Sequence, residues 1–329
     1  MRLSIFIKIK IINQLGGFKM KKFSCILILL FFVLFSAQVY GKERKVNFVY
    51  VSWTGVTLKT EIAKYILGQL GYTVSAKLVS VPICYMALKT KNVDIFLGNW
   101  MPVQREIYEK YKNHIVKLAT NMDGAIYTLA VPKYVYEAGV KHFKDLDRHK
   151  DKFNAKIYGL EEGNMGNEVI RYMINNNLFS LKDWELVVSS EPAMLSQVKY
   201  MISQKKWVAF LGWQPHHMNI MFDMAYLDGS TKETFGENNG ESIVNTIVRV
   251  DFVEEYPNVS TFLKNLKFSV DSINKMMLEL YKDKSLEPKD VAVKWLNENK
   301  SLLKKWLKGV KTADGKGDAY KIVMDSFLN

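Results

Sequence analysis

The chain has 329 residues, 48% hydrophobic, 24% charged and 13% aromatic, with a formal charge of +13; this suits two α/β domains, each with its own core, and excludes a low-complexity or disordered chain. Six of the 46 basic residues (Arg2, Lys8, Lys10, Lys19, Lys21 and Lys22) fall within residues 1–41 beside no acid, which leaves 40 basic against 33 acidic residues, about +7, in the remainder. Lys and Glu are interspersed there, as from Lys59 to Lys64, so no basic face for nucleic acid is expected.

Met20-Lys21-Lys22, the apolar run from Phe23 to Phe35 and the small residues up to Gly41 have the layout of a secretory signal. The run is short for a membrane span. Residues 20–41 are therefore expected to be a cleaved signal peptide with Lys42 as the new amino terminus, residues 1–19 an upstream extension, and Met20 the true start. Cys25 lies within the signal and Cys84 stands alone beyond it, so no intramolecular disulfide is expected. The mature product is expected in a periplasm.

Beyond the signal the hydrophobic period alternates. The pattern predicts strand 46–53, helix 57–70 closed by Gly71, strand 72–79, helix 82–89 with Pro82 in its first turn, and strand 93–97, a βαβαβ unit with a parallel sheet. Strand 125–131 follows, ended by Pro132. The scheme then repeats as strand 156–160, helix 164–175, strand 184–189, helix 192–204 and strand 207–211. After strand 242–250 the pattern is helical, over 259–266, 271–281, 288–297 and 301–307. A helical tail with no strand of its own is expected to pack back on the first domain. The domains so defined are residues 42–131 plus 243–329 and residues 132–242, joined by two crossings near 131 and 242 that would form a hinge.

One stretch occurs twice, as Phe96-Leu97-Gly98-Asn99-Trp100-Met101-Pro102 and as Phe210-Leu211-Gly212-Trp213-Gln214-Pro215. In each, a buried strand ends in a Trp, and the carboxyl ends of strands in open α/β sheets are where ligands bind. Trp53 and Tyr127 also fall at or near strand ends. Four aromatic faces converging on one cleft would form a cage for a methylated ammonium group, each contributing about 0.5–2 kcal/mol once water is excluded. The alternative is that these rings simply fill two cores, the role expected of Trp184, Trp207, Trp295 and Trp306.

These residues also carry a resemblance. Val51-Ser52-Trp53-Thr54, Ser80-Val81-Pro82, Asp94 to Pro102, Tyr127 to Ala130, Ile157-Tyr158-Gly159, Gly163-Asn164, Ser189-Ser190-Glu191 and Phe210 to Trp213 resemble, in order, the choline and glycine-betaine substrate-binding proteins of ABC uptake systems. The resemblance implies a two-lobed periplasmic-binding fold of type II that closes on its ligand, an aromatic box of Trp53, Trp100, Tyr127 and Trp213, a ligand tail held by Asn164, and a membrane permease as partner. It implies a monomer that carries no cofactor. Asn164 also opens a predicted helix, so an Asn cap is its other reading.

The departures concern charge. Choline-binding members have an Asp two positions after the first Trp, an Asp after the tail-binding Asn and a Glu after the last Trp; here these are Gly55, Met165 and Gln214. A carboxylate favours the cation choline and repels the carboxylate of a zwitterion. The expected ligand is thus glycine betaine or carnitine, with choline as the alternative. Gly55 and Val56, before the helix at Thr57, would offer backbone N–H groups to the carboxylate.

Other chemistry is thinly supported. His216-His217 lacks a third metal ligand at a fitting spacing and reads as a helix start or surface pair, and Cys84 as a packed thiol. The segment Gly163 to Asn167 lacks the Lys-Ser/Thr of a nucleotide loop. No enzyme, metal site or fused signalling domain is expected, which leaves an exported enzyme or a solute sensor as weaker readings.

Overall fold

The computed structural model describes residues 44–328. The expected upstream extension, signal peptide and cleavage point lie outside the described residues. Among the described residues no helix is long and apolar enough to cross a membrane.

The chain runs β1 (Lys45–Tyr50), α1 (Thr54–Gln69), β2 (Thr73–Leu78), α2 (Val81–Lys89), β3 (Ile95–Met101), α3 (Arg105–Tyr111) and β4 (Ile115–Pro132). It continues with β5 (Lys156–Tyr158), α4 (Met165–Asn175), β6 (Glu185–Val187), α5 (Glu191–Ser203), β7 (Ala209–Gln214), β8 (Met224–Tyr226) and β9 (Glu241–Arg249). The helices α6 (Pro257–Asn265), α7 (Val270–Lys282), α8 (Pro288–Glu298), α9 (Lys300–Trp306) and α10 (Ala319–Asp325) complete it, with shorter helical turns between.

Each expected parallel triplet is present: β1 pairs in parallel with β2 and β3, and β5 with β6 and β7. The triplets are not separate sheets. They are joined by β4 and β9 into one mixed sheet of order β2-β1-β3-β9-β4-β7-β5-β6, with β8 on β4. β9 runs antiparallel to β3 and β4, and β4 antiparallel to β7. The long strand β4 makes this possible. Only its second half is legible as apolar alternation; residues 115–124, which include Thr120, Asn121, Asp123 and Gly124, become strand because β9 supplies their ladder.

Two buried cores sit on this sheet. One gathers β1, β3, α1, α2 and the helices from Phe252 to Val323, together with Ile115, Met122 and Ala125 of β4. The other gathers Tyr127 to Val131 of β4 with β5, α4, α5 and β7. The switch along β4 falls between Ala125 and Tyr127, where Ile126 pairs with both Gln214 of β7 and Glu241 of β9. This is the two-lobed α/β arrangement expected from the sequence.

Local sequence explains the elements that carry the site. In α1, Leu58, Ile62, Ala63, Ile66 and Leu67 form the buried stripe, and Gly71 follows with φ +89°. The helix begins three residues earlier than its apolar period suggests, so Trp53 is not the end of a strand but the residue that precedes the first helical turn. Gly55 and Val56 thereby fall inside that turn. In α4, the side chain of Asn164 accepts from Gly166 N at 2.8 Å and caps the helix.

Candidate functional site

A small cavity, partly continuous with solvent, lies where the two cores meet. All seven residues singled out in the sequence line it: Trp53, Gly55, Val56, Trp100, Tyr127, Asn164 and Trp213. Trp184, Trp295 and Trp306 are buried in the cores instead, while Trp207 packs half-buried against the second core.

Strand register builds the aromatic wall. Tyr127 of β4 stands directly opposite Trp213 of β7, so both side chains share one face of the sheet. Their rings meet edge to face, with centroids 6.2 Å apart at 89°, and Trp100 meets Tyr127 at 5.9 Å and 61°. Both geometries are favourable aromatic contacts. Burial pushes the Tyr127 phenol well above its ordinary range, with the charge of Glu161 adding to the effect, so it acts as a neutral donor. It donates to Asn164 Oδ1 at 2.8 Å. Gly166 is required here, because a Cβ would run into the Tyr127 hydroxyl.

Asn164 caps α4 and also lines the cavity. Its Oδ1 is occupied by Gly166 N and Tyr127 Oη, which orients the amide and turns Nδ2 towards Glu161 Oε1 at 3.4 Å. Lys59 and Gln104 also line the cavity.

Each tryptophan of the repeated motif has a buried polar support. Around Trp100, Asn99 Nδ2 donates to Tyr85 Oη at 2.8 Å, Tyr85 donates to Gln104 Oε1 at 3.0 Å, and Gln104 Nε2 donates to Gly98 O at 3.0 Å. Asn245 of β9 closes this set on Asn99 Oδ1 at 2.9 Å. Around Trp213, the His216 ring lies 4.5 Å away. Met218 N donates to His216 Nδ1, which leaves Nε2 as the donor to Glu191 Oε1 at 3.0 Å. Thr54, at the start of α1, donates to the same carboxylate oxygen at 2.9 Å.

Burial alone would push the Glu191 carboxyl up, but its hydrogen bonds from His216 and Thr54 and the neighbouring imidazole rings together hold it below its ordinary range. His217 stacks on Tyr281 of α7 at 5.0 Å, and burial, followed by the neighbouring His216, lowers it to about 4. These histidines are thus not a surface pair, although they do precede a short helix at Met218. A further carboxylate, Glu161, accepts from Trp53 Nε1 at 2.8 Å, and its second oxygen is buried without a hydrogen-bond partner.

Glu161, Glu191, His216 and Lys59 were not legible as site residues. With Gly55, Met165 and Gln214 neutral, the carboxylates near the site come from elsewhere: Glu161, in the loop after β5, bonds Trp53, and Glu191, the first residue of α5, bonds His216. Lys59, which reads as part of an interspersed surface run, is only 2% exposed. Its signal was its place on the same helical face as Ile62, Ala63 and Ile66. Cys84 is buried in α2, and burial pushes its thiol up, as suits a packed group. Among the described residues no cluster of His, Cys, Asp and Glu could hold a metal ion.

Two cores on one sheet, with an aromatic-lined cavity between them, define a two-lobed solute-binding protein. Residues 44–298 match the substrate-binding domain of ABC-type glycine betaine transport systems, the OpuAC family, and the chain belongs to that family. Among solved structures, an ABC-transporter choline-binding protein in complex with choline is 40% identical, with a TM-score of 0.83 over 86% of this chain and 98% of the other. The lactococcal OpuAC in its closed form with glycine betaine is 25% identical, with a TM-score of 0.72 over 80% of this chain and 99% of the other. The glycine betaine/carnitine transport binding protein GbuC of Listeria monocytogenes is 30% identical over 165 residues, 50% of this chain and 53% of that protein.

Proposed function

We propose that the chain is the exported solute-binding component of an ABC uptake system, capturing a quaternary ammonium compound and delivering it to a membrane permease without chemical turnover. The observation that carries this reading is the convergence of Trp53, Trp100, Tyr127 and Trp213 on one cavity at the junction of the two cores. A methylated ammonium has no N–H to satisfy and a diffuse positive charge, so electron-rich ring faces hold it better than any hydrogen-bonding cage.

Glycine betaine or carnitine is the favoured ligand. The first turn of α1 carries no acidic residue and no side-chain cap, so Gly55 and Val56 bring unsatisfied N–H groups and the positive end of the helix to the cavity. Asn164 Nδ2 adds a donor. Choline is the second reading, favoured by the half-buried carboxylate of Glu161 beside Trp53 and by the likeness to the choline-binding protein. Residues 42–131 with 243–329, and residues 132–242, would act as lobes that close over the ligand, with the monomer as the working unit and the periplasm as its compartment.

The test is a tryptophan-fluorescence titration of residues 42–329 with glycine betaine, carnitine and choline at one ionic strength. Saturable binding with a zwitterion tightest is expected; no binding of any of the three overturns the reading. Trp100→Ala should weaken binding by about 1–3 kcal/mol, through lost cation-π and packing contacts.

A further inference from the structure

A lysine inside a cavity read as a site for a cationic headgroup is unexpected. Lys59 is a buried residue of α1 and lines the cavity. Its Nζ donates to Leu97 O of β3 and to Asn121 Oδ1 of β4, each at 2.9 Å. An ammonium has three N–H bonds, so one remains without a protein partner. Among the described residues Lys59 forms no ion pair: the neighbouring β3 and β4 supply it with neutral oxygens, and Asn121 is itself tied to Leu97 O and to Thr246 of β9. A buried charge of this kind is ordinarily paired.

Lys59 lies four residues after Gly55 and three after Val56, so the three share a face of α1. Gly55 is also the first of the three positions at which choline-binding members carry an acid. The same helical face that lacks the carboxylate therefore carries an unpaired amine one turn on.

We propose that Lys59 is the charge-selecting residue of this site, its amine favouring ligands that pair a quaternary ammonium with an anionic group over ligands that are purely cationic. The inference rests on the quaternary-ammonium reading of the cavity and deepens it. The ligand's anionic group supplies the missing counter-charge, either at the free N–H or across the space left open by Gly55. A cationic ligand leaves the amine uncompensated and drives it towards its neutral form. Burial lowers Lys59 to about 7, so binding of a zwitterion near neutral pH takes up a proton and binding of a cation releases one.

The experiment compares residues 42–329 with their Lys59→Met variant, measuring glycine betaine and choline by isothermal titration calorimetry at pH 7.5 in two buffers of different ionisation enthalpy. The preference for glycine betaine over choline is expected to fall at least tenfold in Lys59→Met, and the buffer-dependent proton uptake to disappear. An unchanged preference, or equal weakening towards both ligands, overturns the inference and leaves the binding function intact. Failure of the unsubstituted chain to bind either compound overturns the reading on which it rests. Should Lys59→Met not fold, Lys59→Gln replaces it, since its amide keeps a donor for Leu97 O and Asn121 while removing the charge. The preference for glycine betaine should again fall at least tenfold and the proton uptake disappear, and an unchanged preference overturns the inference.

Discussion

The two copies of the Leu-Gly-Trp-Pro-type motif deliver the same ring to the same cavity, yet they are held in place by different chemistry. Beside Trp100 lies a neutral set, Asn99, Tyr85, Gln104 and Asn245, tied to it through Gln104 N donating to Trp100 O at 2.9 Å, in which amide and hydroxyl groups satisfy one another. Trp213 stands against His216, whose partner is the buried carboxylate of Glu191. A similar local sequence therefore specifies the strand, the turn and the indole, while the residues beside the two rings differ in charge: amides and hydroxyls near one, a histidine and carboxylate near the other. The second support also reaches across the cavity, because Thr54 of α1 donates to Glu191 and His217 stacks on Tyr281 of α7.

The largest expected effect comes from breaking the ionisable support. Glu191→Ala leaves the buried His216 N–H and the Thr54 hydroxyl without their shared charged acceptor and should cost about 3–5 kcal/mol of stability, two bonds to an ionised group, read from the urea midpoint at constant m. The matching lesion on the neutral side, Asn99→Ala, removes one amide from a buried set and should cost about 1–3 kcal/mol by the same measurement. Comparable losses at both positions, each independent of pH, would dissolve the contrast.

The smallest effect is the most discriminating. His217 has its folded value depressed to about 4 from an ordinary 6.5, so the unfolded chain binds the proton first. Stability is then fully present above about pH 6.5 and is lost as pH falls towards 4. Glu191, also depressed, adds a further loss only below its ordinary carboxylate range. Unfolding followed from pH 7 to pH 4 should show the first loss, and His217→Phe, which keeps a ring against Tyr281, should flatten it; an unchanged slope in that variant would remove His217 as the source.

Much of this molecule was legible in the sequence, because period and punctuation act locally. The alternation of strands and helices and the helical end of the chain follow from apolar spacing and Gly and Pro placement, and the four cavity rings from aromatic residues at or near expected strand ends, whereas Gly55, Val56 and Asn164 were reached only through the family resemblance. Segments without a buried face were not legible: α3 buries none of its residues, and the first half of β4 has no strong strand pattern. The charged members of the site were missed for a related reason. Glu161, Glu191 and His216 are far apart in the chain, and nothing in their immediate neighbours marks them as partners.

By itself the sequence determined which rings the cavity would receive and that two similar βαβαβ units would present them, since both depend on spacing along one strand or helix. Only the tertiary structure decided that the units share a single sheet, that Tyr127 faces Trp213 across a ladder, that Glu191 serves His216 and Thr54 together, and that Lys59 is buried rather than solvated. Those outcomes depend on which segments become neighbours in space. The free energy of a charge is set by the neighbours it acquires and the water it loses, neither of which is a local property of the chain.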